Sequence, residues 1–240
     1  MELGIKKGSG QQIHFGQVMP FPEKSLRKGL VAVLAVLLIV GAVLSPRYLL
    51  YSDLPRRSDI IVQFIGPDQE SRRREAWQLF QEGYSKYLFI PTLFSLYKTN
   101  QDRSGLTAIR FSDINPGTNL PQPTFENERS ITHFQKIRSL FGFPRFYEDT
   151  HAEILLAKRA MDACGFRSAI FVSSPYHMRR IKIISSRVFG SSYDIIFAAS
   201  HFEKRYEVPL TLQQDLQHVF TEGPKIFWFL CYDLWDRWAG

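Results

Sequence analysis

The chain has 240 residues, 45 % of them hydrophobic and 22 % charged, with a formal net charge of +7 and two cysteines. That size and mix exclude a disordered polymer, a collagen-like repeat and a disulfide-stapled miniprotein, and they leave one large or two small domains. The positive balance suits anionic lipid headgroups or an anionic ligand; nucleic acid is not expected as a partner, because no basic-aromatic stripe or nucleic-acid motif accompanies it.

Residues 1–28 read as a cytoplasmic N-terminal segment carrying Lys6, Lys7, Lys24, Arg27 and Lys28. Gly29 to Leu44 (GLVAVLAVLLIVGAVL) follows without a charge. It is slightly short for a span, so a transmembrane anchor is predicted over 29–51, continuing through Pro46 to the apolar Tyr48–Tyr51. A cleaved signal peptide is the competing expectation, disfavoured by the late basic flank and by the lack of a small-x-small cleavage site. The cation excess before the span puts the N-terminus inside and the folded domain outside an inner or plasma membrane, as a single-pass protein.

A linker (52–57) leads into one α/β domain (58–240). Asp59 to Ile65 (DIIVQFI) predicts a strand buried on both faces, ending at the turn Gly66-Pro67-Asp68. Helical spacing runs from Ser71 to Gln81 and closes at Gly83; Tyr87 to Ile90 is the next strand. Strand, helix and strand make a βαβ unit, hence a parallel sheet. Residues from about 99 to 127 are polar with no sustained period and read as a long surface insertion, either a lid or a tolerated loop. Ile131 to Phe141 has helical spacing. A strong helix then follows, with Thr150 and Glu153 spaced as a capping box and Gly165 as its stop. Ser168–Ser173 predicts a strand, Tyr176–Val188 a helix, Tyr193–Ala198 a strand, and an aromatic-rich helix from about Thr211 closes the chain. The fold class expected is a three-layer Rossmann-like α/β sandwich with a mostly parallel sheet, preceded by one N-terminal transmembrane helix. Cys164 and Cys231 fall in separate helices without zinc or redox spacing; both read as buried apolar residues, with a disulfide left open.

In a parallel sheet the loops after the strands converge on one edge. Gly66 and Asp68 should meet Glu148 and Thr150 there, and also Ser173, Ser174, His177 and Arg180. Serine hydroxyls and unpaired N–H groups at a helix start bind anions. His177 could exchange a proton near neutral pH, and Arg180, on the same helical face, could grip a phosphate or carboxylate with two hydrogen bonds. Asp149 and Thr150 have the alternative job of starting their helix. That leaves Glu148 as the candidate acid or base facing the anion, with His177 the other candidate catalytic group. Within the run Arg72-Arg73-Arg74, ordinarily a solvated face, Arg73 is the candidate that reaches the anion. No nucleotide-loop, serine-hydrolase or metalloprotease motif occurs and no metal is expected.

Together these segments resemble the YdcF-like family, the SanA- and ElyC-like envelope proteins, over about Ser58 to Tyr232. Four stretches carry the resemblance: DIIVQFIG at Asp59–Gly66; Gly142-Phe143-Pro144 with Glu148 and Thr150; SSPYHMRR at Ser173–Arg180, the most specific; and Glu222 before an aromatic helix with Tyr232. The chain departs from the family where a glycine-rich first loop shrinks to Gly66, and where Pro91-Thr92-Leu93 replaces Ser-Gly-Gly. The resemblance implies a membrane-anchored extracytoplasmic domain, a role in envelope or cell-wall precursor handling, and in one branch S-adenosylmethionine binding. No cofactor is otherwise evident. The partners expected are the bilayer and an anionic small molecule or lipid-linked phosphate. Two alternatives stay open: a non-catalytic interaction or scaffold protein with a vestigial pocket, and a nucleotide- or methyl-donor-binding enzyme.

Overall fold

The computed structural model describes residues 47–100, 104–118, 120, 148–203 and 212–239. Compactness divides the chain between Gly41 and Ala42, and every described residue belongs to the C-terminal unit. Most of the predicted anchor, the predicted helix at 131–141 and the Gly142-Phe143-Pro144 stretch lie outside the described residues. Among the described residues, no helix is long and apolar enough to cross a membrane.

The fold is α/β around one six-stranded sheet. Strand β1 (Ile60–Gln63) lies at its centre; helix α1 (Gln69–Gln81) leads to β2 (Tyr87–Ile90) on one side. Helix α2 (Asp149–Cys164) leads to β5 (Ser168–Ser173) on the other, and helix α3 (Pro175–Val188) leads on to β6 (Asp194–Ala199). Two strands between these, β3 (Ser95–Thr99) and β4 (Leu106–Ile109), give the order β4-β3-β2-β1-β5-β6. β2, β1, β5 and β6 are parallel, with Ile61 opposite Leu88 and Ile170; β3 and β4 are antiparallel. All four residues of β1 are buried, as expected of a strand covered on both faces.

Alternation along the strands sorts two cores. Ile61, Ile170 and Val172 pack with Ala76, Leu79 and Phe80 of α1. Ile60, Val62 and Phe171 pack on the opposite face with Ile154, Ala157, Met178 and Ile181 of α2 and α3, and with Phe229 and Tyr232 of α4 (Leu212–Ala239). Helices therefore cover both faces, compatible with a Rossmann-like arrangement. Asp59 fastens the start of β1 to β5 by accepting from the backbone N–H groups of Arg167 and Ser168 at 2.9 and 2.8 Å. Helix stops fall where glycine permits a left-handed residue: Gly83 at φ 82° and Gly165 at φ 73°. The two cysteines are free thiols.

Two expectations change. The first part of the predicted insertion at 99–127 is sheet: Thr99 ends β3 and β4 pairs with it. These two strands at the margin of the sheet escape a hydrophobic search because of β3 only Leu96 is buried and β4, the edge strand, buries none of its four residues. Tyr48–Tyr51, expected in the anchor, belong instead to the domain. Leu49 is 3 % exposed, Tyr51 packs edge-on against Phe197 at 6.0 Å, and the Asp53 N–H donates to the Phe197 carbonyl at 2.7 Å. The uncharged run that precedes them ends at Leu44.

Candidate functional site

From β1 the chain runs outward in one direction through β2 and in the other through β5. The crevice between their carboxyl ends is the position where open α/β sheets bind ligands. A cavity of about 710 Å³ occupies it. Phe64, Ile65, Gly66 and Pro67 line it from the β1 loop; Arg72 from α1; Thr92 from the turn after β2; Asp149, Thr150, Glu153 and Leu156 from α2; Ser173, His177, Arg180 and Ile181 from β5 and α3; and Lys225 from α4. That volume suits a small organic ligand with an apolar body.

Arg72 is the cationic floor and is 1 % exposed. Its Nε donates to Ser174 Oγ at 2.9 Å and its Nη1 to the Phe64 carbonyl at 3.4 Å. Burial lowers its pKa, offset by Asp68, Glu153 and Glu203, and a guanidinium keeps its charge regardless. The first-loop glycine exists for this side chain: a Cβ on Gly66 would stand 2.3 Å from Arg72 Nη1. Arg180, 3 % exposed, forms the opposite wall, its Nε 3.3 Å from Glu222 Oε2. Arg72 Nη2, Arg180 Nη1 and Ser173 Oγ are buried without a hydrogen-bond partner among the described residues. Such orphans cost ~1–3 kcal/mol each and are rare in folded domains.

Arg180 Nη2 also lies 2.8 Å from His177 Nδ1. Guanidinium can only donate, so Nδ1 accepts and the ring proton sits on Nε2, which faces Glu222 Oε1 at 3.6 Å. Burial first, then Arg180, Arg72 and Lys225, push His177 well below its ordinary pKa. In place of a group that exchanges protons near neutral pH, the structure presents a neutral imidazole that orients Arg180.

The carboxyl group of the cavity is Glu153. Thr92 Oγ1 donates to its Oε1, and burial raises its pKa to about 7, with Thr92, the Ile65 N–H and Arg72 pulling the other way. Glu153 thus stands near its midpoint at neutral pH beside Arg72, where a carboxyl can give or take a proton. The helix begins two residues earlier than the capping-box pattern predicts. Glu148 is the N-cap, with no side-chain cap bond, and Ala152 N–H closes the first turn on the Glu148 carbonyl. Thr150 and Glu153 therefore do not form a box, and both face the cavity.

Of the residues expected at the site, Gly66, Thr150, Ser173, His177 and Arg180 share the cavity wall. Four do not. Glu148 is buried behind it, accepting from Trp228 Nε1 at 2.9 Å. Arg73 points to solvent, paired with Glu70 at 2.6 Å; its neighbour Arg72 is the arginine of the site. Ser174 is spent on Arg72, and Asp68 stands beside them, 3.4 Å from Ser174 Oγ. Arg72, Glu153, Lys225 and Thr92 are the functional candidates the sequence did not single out. Among the described residues no group of three or more His, Cys, Asp or Glu could hold a metal ion.

No family model, curated protein or solved structure matches the chain.

Proposed function

We propose that this cavity binds an anionic small molecule, its phosphate or carboxylate held by Arg72, Arg180 and Ser173 and its apolar part against Phe64, Ile65, Leu156 and Ile181. The observation that carries this is the set of three buried polar atoms around one cavity without partners among the described residues, two of them on guanidinium groups. Two arginines converging on one space offer bidentate bonds to a tetrahedral or planar anion. Glu153 is the group that moves a proton on or off the bound molecule. The membership proposed is YdcF-like, as an envelope protein anchored by Gly29–Leu44 with the domain outside the membrane. A phosphorylated or pyrophosphoryl lipid-linked precursor is the substrate class that suits a pocket tethered beside a bilayer.

The test titrates the full chain in detergent with inorganic phosphate, pyrophosphate, an isoprenyl pyrophosphate and S-adenosylmethionine, and follows the unfolding temperature. The pyrophosphates are expected to stabilise the wild type and to lose at least tenfold in apparent affinity in Arg72→Lys/Arg180→Lys, which keeps the charge but not the fork. Equal stabilisation of both proteins, or of neither, overturns the proposal. Stabilisation by S-adenosylmethionine alone replaces it with methyl-donor binding.

A further inference from the structure

Helix α4 turns one face to the domain and leaves another bare. Phe229 and Tyr232 are buried, yet Phe220, Phe227, Leu234 and Trp238 are 75, 68, 58 and 85 % exposed, and Leu230 is 40 % exposed. At ~100° per residue these five fall within an arc of roughly 80° and run for roughly 27 Å along the axis. A soluble domain rarely leaves so long an apolar stripe to water.

The place where the chain enters the domain bears on what covers it. Along α3, Arg180 and Arg187 meet Glu222 and Asp233 of α4 at 3.3 and 3.7 Å. One step round the same helix, Arg179 Nε donates to the Tyr48 carbonyl at 2.8 Å, and Lys182 Nζ lies 3.5 Å over the Tyr51 ring. The entering chain and α4 therefore flank one helix and belong to one layer. Leu49 is already buried there, five residues after Leu44 closes the uncharged run, a distance of roughly 18 Å at full extension. With the run held in a bilayer, as proposed above, that tether keeps the point of entry within roughly 18 Å of the membrane. The stripe is mostly aromatic, and Arg237 beside Trp238, though paired with Asp233 at 3.2 Å, is 53 % exposed; phenylalanine and tryptophan with a cation at hand fit the headgroup zone of a bilayer.

We propose that the exposed face of α4 lies on the bilayer surface as a second membrane contact, holding the domain at two points. This rests on the anchoring by Gly29–Leu44 proposed above and is independent of what the cavity binds.

The experiment uses the full chain reconstituted into vesicles of phosphatidylcholine and phosphatidylglycerol. Nitroxide labels are placed at Phe227→Cys, at Leu234→Cys and, as a reference on α1, at Arg73→Cys, each in a Cys164→Ala/Cys231→Ala background. Two stripe positions guard against one variant failing to fold. Labels at 227 and 234 are expected to collide at least threefold more with membrane-dissolved oxygen, relative to a water-soluble nickel chelate, than the label at 73. Nickel accessibility equal to that at 73 overturns the contact. Spin–spin broadening between stripe labels overturns it in favour of a second copy of the chain, and shielding from both quenchers does so in favour of another protein segment. Release of the chain by alkaline carbonate overturns the anchor; retention with water-exposed labels overturns the α4 contact alone.

Discussion

At the residue scale the cavity depends on two side chains whose roles hide in their spacing. The inward positions of α1 are Arg72, Glu75, Ala76, Leu79 and Phe80, a regular helical stripe. Its first two members are polar because they reach the functional edge of the sheet, so a search for apolar periodicity starts too late and leaves Arg72 in a solvated run. Gly66→Ala tests the fit from the other side. The added methyl has to displace the guanidinium, so the expected outcome is at least tenfold weaker pyrophosphate binding, with ~1–3 kcal/mol lost in urea unfolding. Glu153 gives the pH signature. Its folded pKa lies at about 7 against 4.5 unfolded, so the folded state holds the proton more tightly. Its stability contribution is complete below pH 4.5 and is lost as pH rises through 7, by about 3 kcal/mol at most. Glu153→Gln should remove that share of the stability–pH slope and leave a share of similar size from Glu203, whose pKa burial also raises to about 7. The same variant should remove the gain in anion affinity that the wild type shows between pH 8 and 6, since an uncharged side chain no longer repels the ligand. Calorimetry at three pH values measures both.

At the element scale, α4 closes the site more than it extends the fold. Glu222, 2 % exposed, faces Arg180 at 3.3 Å, His177 at 3.6 Å and Lys225 at 3.3 Å. Glu222→Gln leaves the buried Arg180 and the partly buried Lys225 without their counter-charge and is expected to cost ~3–5 kcal/mol in urea unfolding. Its loss should also weaken anion binding less than Arg180→Lys does, because the freed arginine still meets the ligand. The element pattern was largely legible: β1, α1, β2, α2, β5, α3, β6 and α4 stand where runs of buried residues or helical spacing put them. β3 and β4 were not, because strands at the margin of a sheet need backbone partners more than apolar side chains, and backbone pairing leaves no mark in composition. The site was legible in its third segment, Ser173 to Arg180, where Pro175 opens α3 directly after β5. It was misplaced at α2, where a two-residue shift of the helix start exchanges Glu148 for Glu153.

At the scale of the whole molecule, the domain starts earlier than a hydropathy reading allows. A fragment cut at Ser58, the predicted boundary, loses the buried Leu49, the Tyr51–Phe197 contact and the bonds from Asp53 to the outer edge of β6. It is expected to be at least ~2 kcal/mol less stable than a fragment beginning at Arg47, and more prone to aggregate through the uncovered β6 edge. Paired urea melts and light scattering at equal concentration decide this.

The bond between Phe197 N–H and Asp53 spans 144 residues of chain, and Asp59 reaches 109 residues onward to Ser168. Contacts of that separation are slow to form, because the intervening chain must be closed before any of them repays the entropy. During synthesis the first half of the sheet emerges with the β5-facing side of β1 open and the floor of the cavity unpaired. The domain therefore becomes native late and nearly all at once, when β5 arrives. Until then, the stretch from β1 to β4 depends on whatever keeps an apolar strand edge from finding another chain.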